Sequence, residues 1–66
     1  MGYTLKNIKI TDNLWVELRF NITDQPTPYS IAIWYQGMVK EEIKINANTD
    51  EEAMEALKKY LEEKFI

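Results

Sequence analysis

Residues 14–22 read LWVELRFNI, and this stretch decides the fold class. Apolar side chains recur there at every second position, which is the period of a strand with one face in a protein core. The inward phase consists of Leu14, Val16, Leu18, Phe20 and Ile22, and the outward phase of Trp15, Glu17, Arg19 and Asn21. The alternation therefore predicts a half-buried strand over residues 14–22.

Three more stretches predict strands, over residues 3–10, 29–35 and 38–45. The first of them changes phase midway, which predicts a bulge near Lys6 and Asn7. Short turns separate consecutive strands, so we expect a four-stranded antiparallel meander.

Turn residues predict the register of each hairpin. A three-residue loop that ends at Gly37 supplies the left-handed conformation that a type I turn with a bulge requires. A similar loop is expected to end at Asn13, which tolerates that conformation. The simplest meander then gives three facing pairs: Ile33 with Val39, Ile10 with Leu14, and Ile22 with Tyr29.

The C-terminal stretch predicts a helix over residues 50–65. It begins at a capping box, in which the Thr49 hydroxyl accepts from the Glu52 amide and the Glu52 side chain reaches back. An apolar stripe follows at helical spacing: Ala53, Met54, Leu57, Tyr60, Leu61 and Phe65. We therefore predict one α+β domain over residues 1–66, with the helix packed on one face of the sheet (ββββα).

Composition limits the classes of protein. The chain has 66 residues, no cysteine and no histidine, so it offers neither a disulfide nor a thiolate or imidazole metal ligand. We expect no cofactor. Because neither a signal peptide nor an apolar stretch of membrane-spanning length is present, we expect a cytoplasmic protein.

The charge is unevenly distributed. The net charge is −3, of which residues 1–40 contribute +1 and residues 41–66 contribute −4. Affinity for nucleic acids depends mainly on neutralising phosphates, so this balance disfavours a nucleic-acid partner.

Residues that carry catalysis are scarce. The only glycines are Gly2 and Gly37, so there is no phosphate-binding loop, and no nucleophile has a histidine beside it. Glu17 and Glu41 are mid-strand carboxylates that the alternation places on opposite faces. We expect Glu17 to be a solvated charge and Glu41 an edge-strand charge that discourages aggregation. An enzyme with a small-molecule substrate is not expected.

The sheet face away from the helix is the candidate interaction surface, because one helix covers only one side of a sheet. Tryptophan and arginine are enriched where proteins bind one another. The predicted surface consists of Trp15, Trp34 and Met38, fringed by Lys9, Arg19, Lys40 and Lys44. We expect it to bind another protein or a second copy of the chain.

Three hypotheses for function follow. The first is a small protein-binding module of the inhibitor or adaptor type, of the kind that phages encode, and it includes a homodimer. The second is a computationally designed chain, since the helix follows an idealised recipe of cap, apolar stripe and Glu/Lys exterior. The third is a single-stranded nucleic-acid binder, because four strands followed by a helix resemble the single-stranded DNA-binding domain of transcriptional coactivators. That resemblance implies base stacking on the aromatic residues of the sheet.

Overall fold

The structure, a computed structural model, describes residues 2–65. Its elements are β1 (Gly2–Thr11), β2 (Leu14–Asn21), β3 (Tyr29–Tyr35), β4 (Met38–Ile45) and α1 (Asp50–Phe65). The strands form one antiparallel sheet in the order β1-β2-β3-β4, which confirms the predicted ββββα fold. The predicted bounds agree to within one residue, and Ile22 lies in a turn just beyond β2.

The core lies between α1 and one face of the sheet. Val16, Leu18 and Ile31 have the largest side chains that are fully buried, and α1 contributes Ala53 and Leu57. Partly buried side chains pack around this cluster: Leu5, Ile8, Ile10, Leu14, Phe20, Ile45, Tyr60 and Leu61. The sheet surface on the side away from α1, called the open face below, has no helix packed on it.

The start of α1 is held by side-chain hydrogen bonds. The Thr49 hydroxyl accepts from the Glu52 amide at 3.1 Å, as predicted, and the Glu52 carboxylate accepts from the Asn48 amide at 2.9 Å. A further bond ties the helix to the sheet, because the Tyr29 hydroxyl donates to Asp50 at 2.5 Å. These bonds fix the point at which the chain leaves β4 and crosses the core.

The β3–β4 hairpin has a two-residue turn. Gln36 and Gly37 both adopt left-handed conformations, with φ of 53° and 81°, as in a type I′ turn. Tyr35 consequently faces Met38. The predicted three-residue loop is wrong, because Gln36 takes a conformation that was expected of the glycine alone.

A bulge follows this turn. Trp34 faces Val39 but Ile33 faces Glu41, so Lys40 is an extra residue in β4. The predicted pairing of Ile33 with Val39 is therefore wrong. The bulge leaves Val39 on the open face and returns the later apolar residues of β4 to the core.

The β1–β2 hairpin is built in a similar way. Thr11 faces Leu14 across a two-residue turn, and Ile10 is an extra residue. The predicted pairing of Ile10 with Leu14 is wrong. Within residues 2–65, positive φ angles belong to the other hairpin alone, so Asn13 does not take the predicted left-handed conformation.

A second bulge in β1 lies at Leu5, directly before the position predicted near Lys6 and Asn7. Beyond it Tyr3 returns to the helix side, where its ring packs on that of Phe20 with centroids 5.1 Å apart. The change of phase seen in the sequence thus has a structural cause.

The β2–β3 register differs from the expected one by two residues. Phe20, rather than Ile22, faces Tyr29. The strands separate earlier than expected because the connecting loop is tied by its own backbone hydrogen bonds. A shift of two residues keeps every side chain on its face and changes its neighbour, so Trp15 faces Trp34 directly.

The two-residue turn predicts opposite effects for two substitutions. Gln36→Asn should raise the free energy of unfolding by about 0.5 kcal/mol, because asparagine tolerates the left-handed region better than glutamine. Gly37→Ala should lower it by about 1 kcal/mol. Gly37→Ala causes no steric clash, since no atom lies within 4 Å of the Cβ that it adds. Urea unfolding measures both, and an unchanged stability of Gln36→Asn would contradict the two-residue turn.

The bond between Tyr29 and Asp50 predicts a loss of stability at alkaline pH. The hydrogen bond to Asp50, burial and the nearby negative charge raise the pKa of Tyr29 from 10.0 to about 12. Because the unfolded chain then loses this proton at lower pH than the folded one, stability should fall as pH rises from 10 to 12.

Tyr29→Phe should be less stable than the wild type at neutral pH and should show a shallower alkaline decline. Tyr60 and Lys44 also have raised pKa values, so they titrate in the same direction in both proteins. Urea unfolding at a series of pH values measures the difference. Parallel curves for the two proteins would show that the Tyr29 hydroxyl does not contribute to the alkaline decline.

Candidate interaction site

The open face carries three rows of side chains that run across the strands. Their order follows from the registers of the three strand pairs. From one end to the other, the rows are Lys9, Trp15, Trp34 and Val39; then Asn7, Glu17, Ala32 and Glu42; then Thr4, Arg19, Ser30 and Lys44. Aromatic and apolar residues thus occupy one end, and charged residues occupy the centre and the other end.

The aromatic end contains a shallow cleft of about 350 Å³. We call it the tryptophan cleft, and it is lined by Asn7, Trp15, Glu17, Trp34 and Gly37. The Trp15 side chain is 38% exposed. The sequence analysis placed both tryptophans here, and the structure brings them together as a directly facing pair.

Met38 does not belong to this surface. It is 71% exposed, but it faces Tyr35 on the helix side of the sheet. Val39, which is 42% exposed, takes the predicted place beside Trp34. The cause is the two-residue turn, which moves every residue at the start of β4 by one position relative to the predicted loop.

The basic residues that were predicted to surround the tryptophans do not all lie near them. Lys9 lies beside Trp15 as predicted, and its ammonium is 3.2 Å from the Asp12 carboxylate. Lys40 is the extra residue of the β4 bulge, next to the cleft end of the strand. Arg19 lies two rows away from the tryptophans, between the carboxylates of Glu17 (3.9 Å) and Glu42 (3.6 Å).

Lys44 lies at the far end of the open face. It donates a 2.9 Å hydrogen bond to Asp24, and this bond raises the pKa of the lysine. Lys44 therefore contacts the chain's own loop and has no part in the cleft.

Glu17 is the residue whose role the sequence analysis missed. Its side chain is only 13% exposed, and it accepts a 2.8 Å hydrogen bond from the Trp34 indole N–H. Its other oxygen accepts from the Thr4 hydroxyl. The expected solvated charge is therefore wrong for Glu17. The predicted pairing of Ile22 with Tyr29 places Glu17 directly beside Trp34, whereas in the structure their contact is diagonal. The burial of Glu17, which the alternation does not indicate, is what the prediction lacked.

The centre of the open face is covered by its own side chains. Ser30 is buried and donates a 2.9 Å hydrogen bond to Glu42, while Ala32 between the two carboxylates is completely inaccessible. The polar side chains of this layer therefore form hydrogen bonds and ion pairs with one another. Only the aromatic end offers an accessible apolar surface on this face.

The mid-strand carboxylates Glu17 and Glu41 lie on opposite faces of the sheet. Glu41 faces Ile33 on the helix side, so it lies on the face opposite to Glu17, as predicted. Within residues 2–65, no group of three or more carboxylates is arranged to hold a metal ion. In that same range, no helix has the length and apolar character needed to cross a membrane.

No protein family, curated protein or solved structure matches this chain.

The partly buried Glu17 predicts a stability cost on truncation. Glu17→Ala leaves the Trp34 indole N–H without its acceptor and removes a negative charge beside Arg19. We expect the free energy of unfolding to fall by about 1–3 kcal/mol. Glu62→Ala, an exposed carboxylate on α1, is the control and should change it by less than about 0.5 kcal/mol. Equal effects in urea unfolding would mean that Glu17 is solvated after all.

Proposed function

We propose that this chain is a cytoplasmic, non-enzymatic protein-binding module of the inhibitor or adaptor type. The observation that carries the proposal is the facing pair of Trp15 and Trp34 on a sheet surface that no helix covers. Tryptophan is the residue type most concentrated at the energetic centres of protein interfaces. The tryptophan cleft is the proposed contact surface.

The anatomy of the open face supports this choice. Interfaces commonly have an apolar, desolvated centre with a polar rim that excludes water. Here Trp15, Trp34 and Val39 form a compact apolar end, and the carboxylate–arginine layer adjoins it on one side. A partner seated on this end buries the aromatic residues without having to break that layer.

The sheet edges are poor alternatives. β1 is interrupted by bulges at Leu5 and Ile10, and Lys6 faces Leu18 on the helix side. β4 has its bulge at Lys40, followed by the inward-facing charge of Glu41. Bulges and inward-pointing charges on edge strands oppose the addition of another strand. Binding through the face is therefore favoured over binding through an edge.

Electrostatics favours a protein partner over single-stranded nucleic acid. Three cations of the open face, Lys9, Arg19 and Lys44, each lie within 4.0 Å of a carboxylate of the same chain. A phosphate backbone would have to displace those carboxylates while approaching a chain of net charge −3.

An origin in computational design makes a separate prediction. Idealised designs avoid irregular strands and are commonly hyperstable, with melting temperatures above about 90 °C. The three bulges, at Leu5, Ile10 and Lys40, depart from that ideal. A thermal scan followed by circular dichroism separates the two origins.

A pair of neighbouring substitutions tests the proposed surface. Val39→Lys places a charge at the tryptophan cleft end, whereas Met38→Lys places the same charge on the opposite face, one residue away. Both residues are exposed, so both variants should retain the fold, as checked by circular dichroism. We expect Val39→Lys to weaken binding at least about tenfold and Met38→Lys to change it less than about twofold.

The measurement has two parts. Sedimentation of the wild type over a concentration series determines whether the partner is a second copy. Proteins that the immobilised chain captures from cell extract are then compared between the variants. If both variants capture the same proteins and self-associate as the wild type does, the tryptophan cleft is not the interface.

A further inference from the structure

We propose that the tryptophan cleft accepts an arginine side chain that a protein partner presents. The guanidinium would lie against the faces of Trp15 and Trp34 and near the carboxylate of Glu17. This inference rests on the proposed function and adds the chemistry by which the partner is recognised.

The charge of the cleft favours a cation. The lining residues that the structure describes include one carboxylate, Glu17, and no lysine or arginine. Two lysines lie near this end of the face: Lys9 is ion-paired with Asp12, and Lys40, in the β4 bulge, does not line the cleft. A cation that enters the cleft therefore meets a negative charge and two aromatic rings, and the faces of aromatic rings attract cations.

Glu17 has acceptor capacity left for a guanidinium. An ionised carboxylate offers about four acceptor positions. The hydrogen bonds from Trp34 and Thr4 use one on each oxygen. Arg19 lies 3.9 Å from one oxygen, which is an ion-pair distance and longer than a hydrogen bond.

The hydrogen bond between the Trp34 indole and Glu17 also orients and polarises the aromatic surface of the cleft. The Trp34 indole N–H donates to a largely desolvated carboxylate at 2.8 Å, which fixes the orientation of the ring. Donation to an anion also polarises the indole, which makes its face more attractive to a cation. Glu17 therefore acts on the incoming cation directly and through the ring.

Arginine fits the cleft better than lysine does. Its guanidinium is planar, stacks on aromatic faces, is weakly hydrated and carries five donors. The rim offers a further acceptor in the side-chain amide of Asn7. At about 350 Å³, the cleft is at the small end of ligand pockets, which suits one inserted side chain rather than a large cofactor.

The charge of the whole chain acts in the same direction. The net charge is −3, with the excess of carboxylates in residues 41–66. Complementary charge accelerates the encounter with a basic partner and disfavours acidic ones.

A pair of nearly isosteric peptides tests the proposal. The capped tripeptide acetyl-Gly-Arg-Gly-amide is titrated into the protein while the two indole N–H resonances are followed by NMR. Acetyl-Gly-citrulline-Gly-amide, which has the same shape without the charge, is titrated in parallel. We expect saturable shifts of both resonances, with the arginine peptide bound about tenfold more tightly.

Two variants connect the binding to the cleft. Glu17→Gln removes the charge but keeps an acceptor for the Trp34 indole, so arginine binding should weaken about fivefold or more. Glu42→Gln is the matched control, because it removes a charge from the same row without lining the cleft. It should change binding less than about twofold. Trp15→Leu keeps apolar bulk without an aromatic face and should also weaken binding.

The possible outcomes are distinct. Equal affinity for the citrulline peptide, equal effects of Glu17→Gln and Glu42→Gln, or undiminished binding by Trp15→Leu would each overturn the arginine assignment. In those cases the protein-binding surface still stands if Val39→Lys and Met38→Lys differ in capture. If these two variants do not differ, the proposed function fails as well.

Discussion

One helix must bury the apolar residues of four strands, and the rest of the structure depends on this constraint. Only one face of a sheet can pack against a single helix, so every strand has to keep its core residues in one phase. β2 does so without interruption, with Val16 and Leu18 fully buried. The edge strands do so with bulges, at Leu5 and Ile10 in β1 and at Lys40 in β4. Each bulge resets the phase of the strand on the helix side.

The same constraint explains why the open face has a charged centre and an apolar end. Residues outside the core either pair with one another or remain exposed to solvent. In the centre they satisfy one another, because Arg19 lies between two carboxylates and the buried Ser30 donates to one of them. At one end they remain exposed, since Trp15 and Val39 are each about 40% accessible. On the open face, the accessible apolar surface thus lies at one end.

Glu17 connects the two parts of that face. It belongs to the charged layer through Arg19 and to the tryptophan cleft through the Trp34 indole. A largely desolvated carboxylate interacts more strongly with its neighbours than a solvated one does. The charge of Glu17 therefore stabilises the charged layer and also makes the tryptophan cleft negative. The proposed recognition of arginine uses this property. The interruptions of the edge strands support the proposal that binding occurs through this face.

Local sequence patterns are sufficient to predict the five elements, their order and the face of nearly every core residue. Those features depend on local signals, namely the alternation in residues 14–22 and 29–35 and the capping box at Thr49. The registers, and hence the neighbours across strands, depend on the tertiary structure. Two- and three-residue hairpin loops differ by a single residue and are close in energy, and the choice depends on bulges and packing far along the chain. That choice exchanged Met38 for Val39 beside Trp34. The separate β2–β3 register placed Glu17 diagonal to Trp34, because contacts across strands are set by register rather than by local sequence.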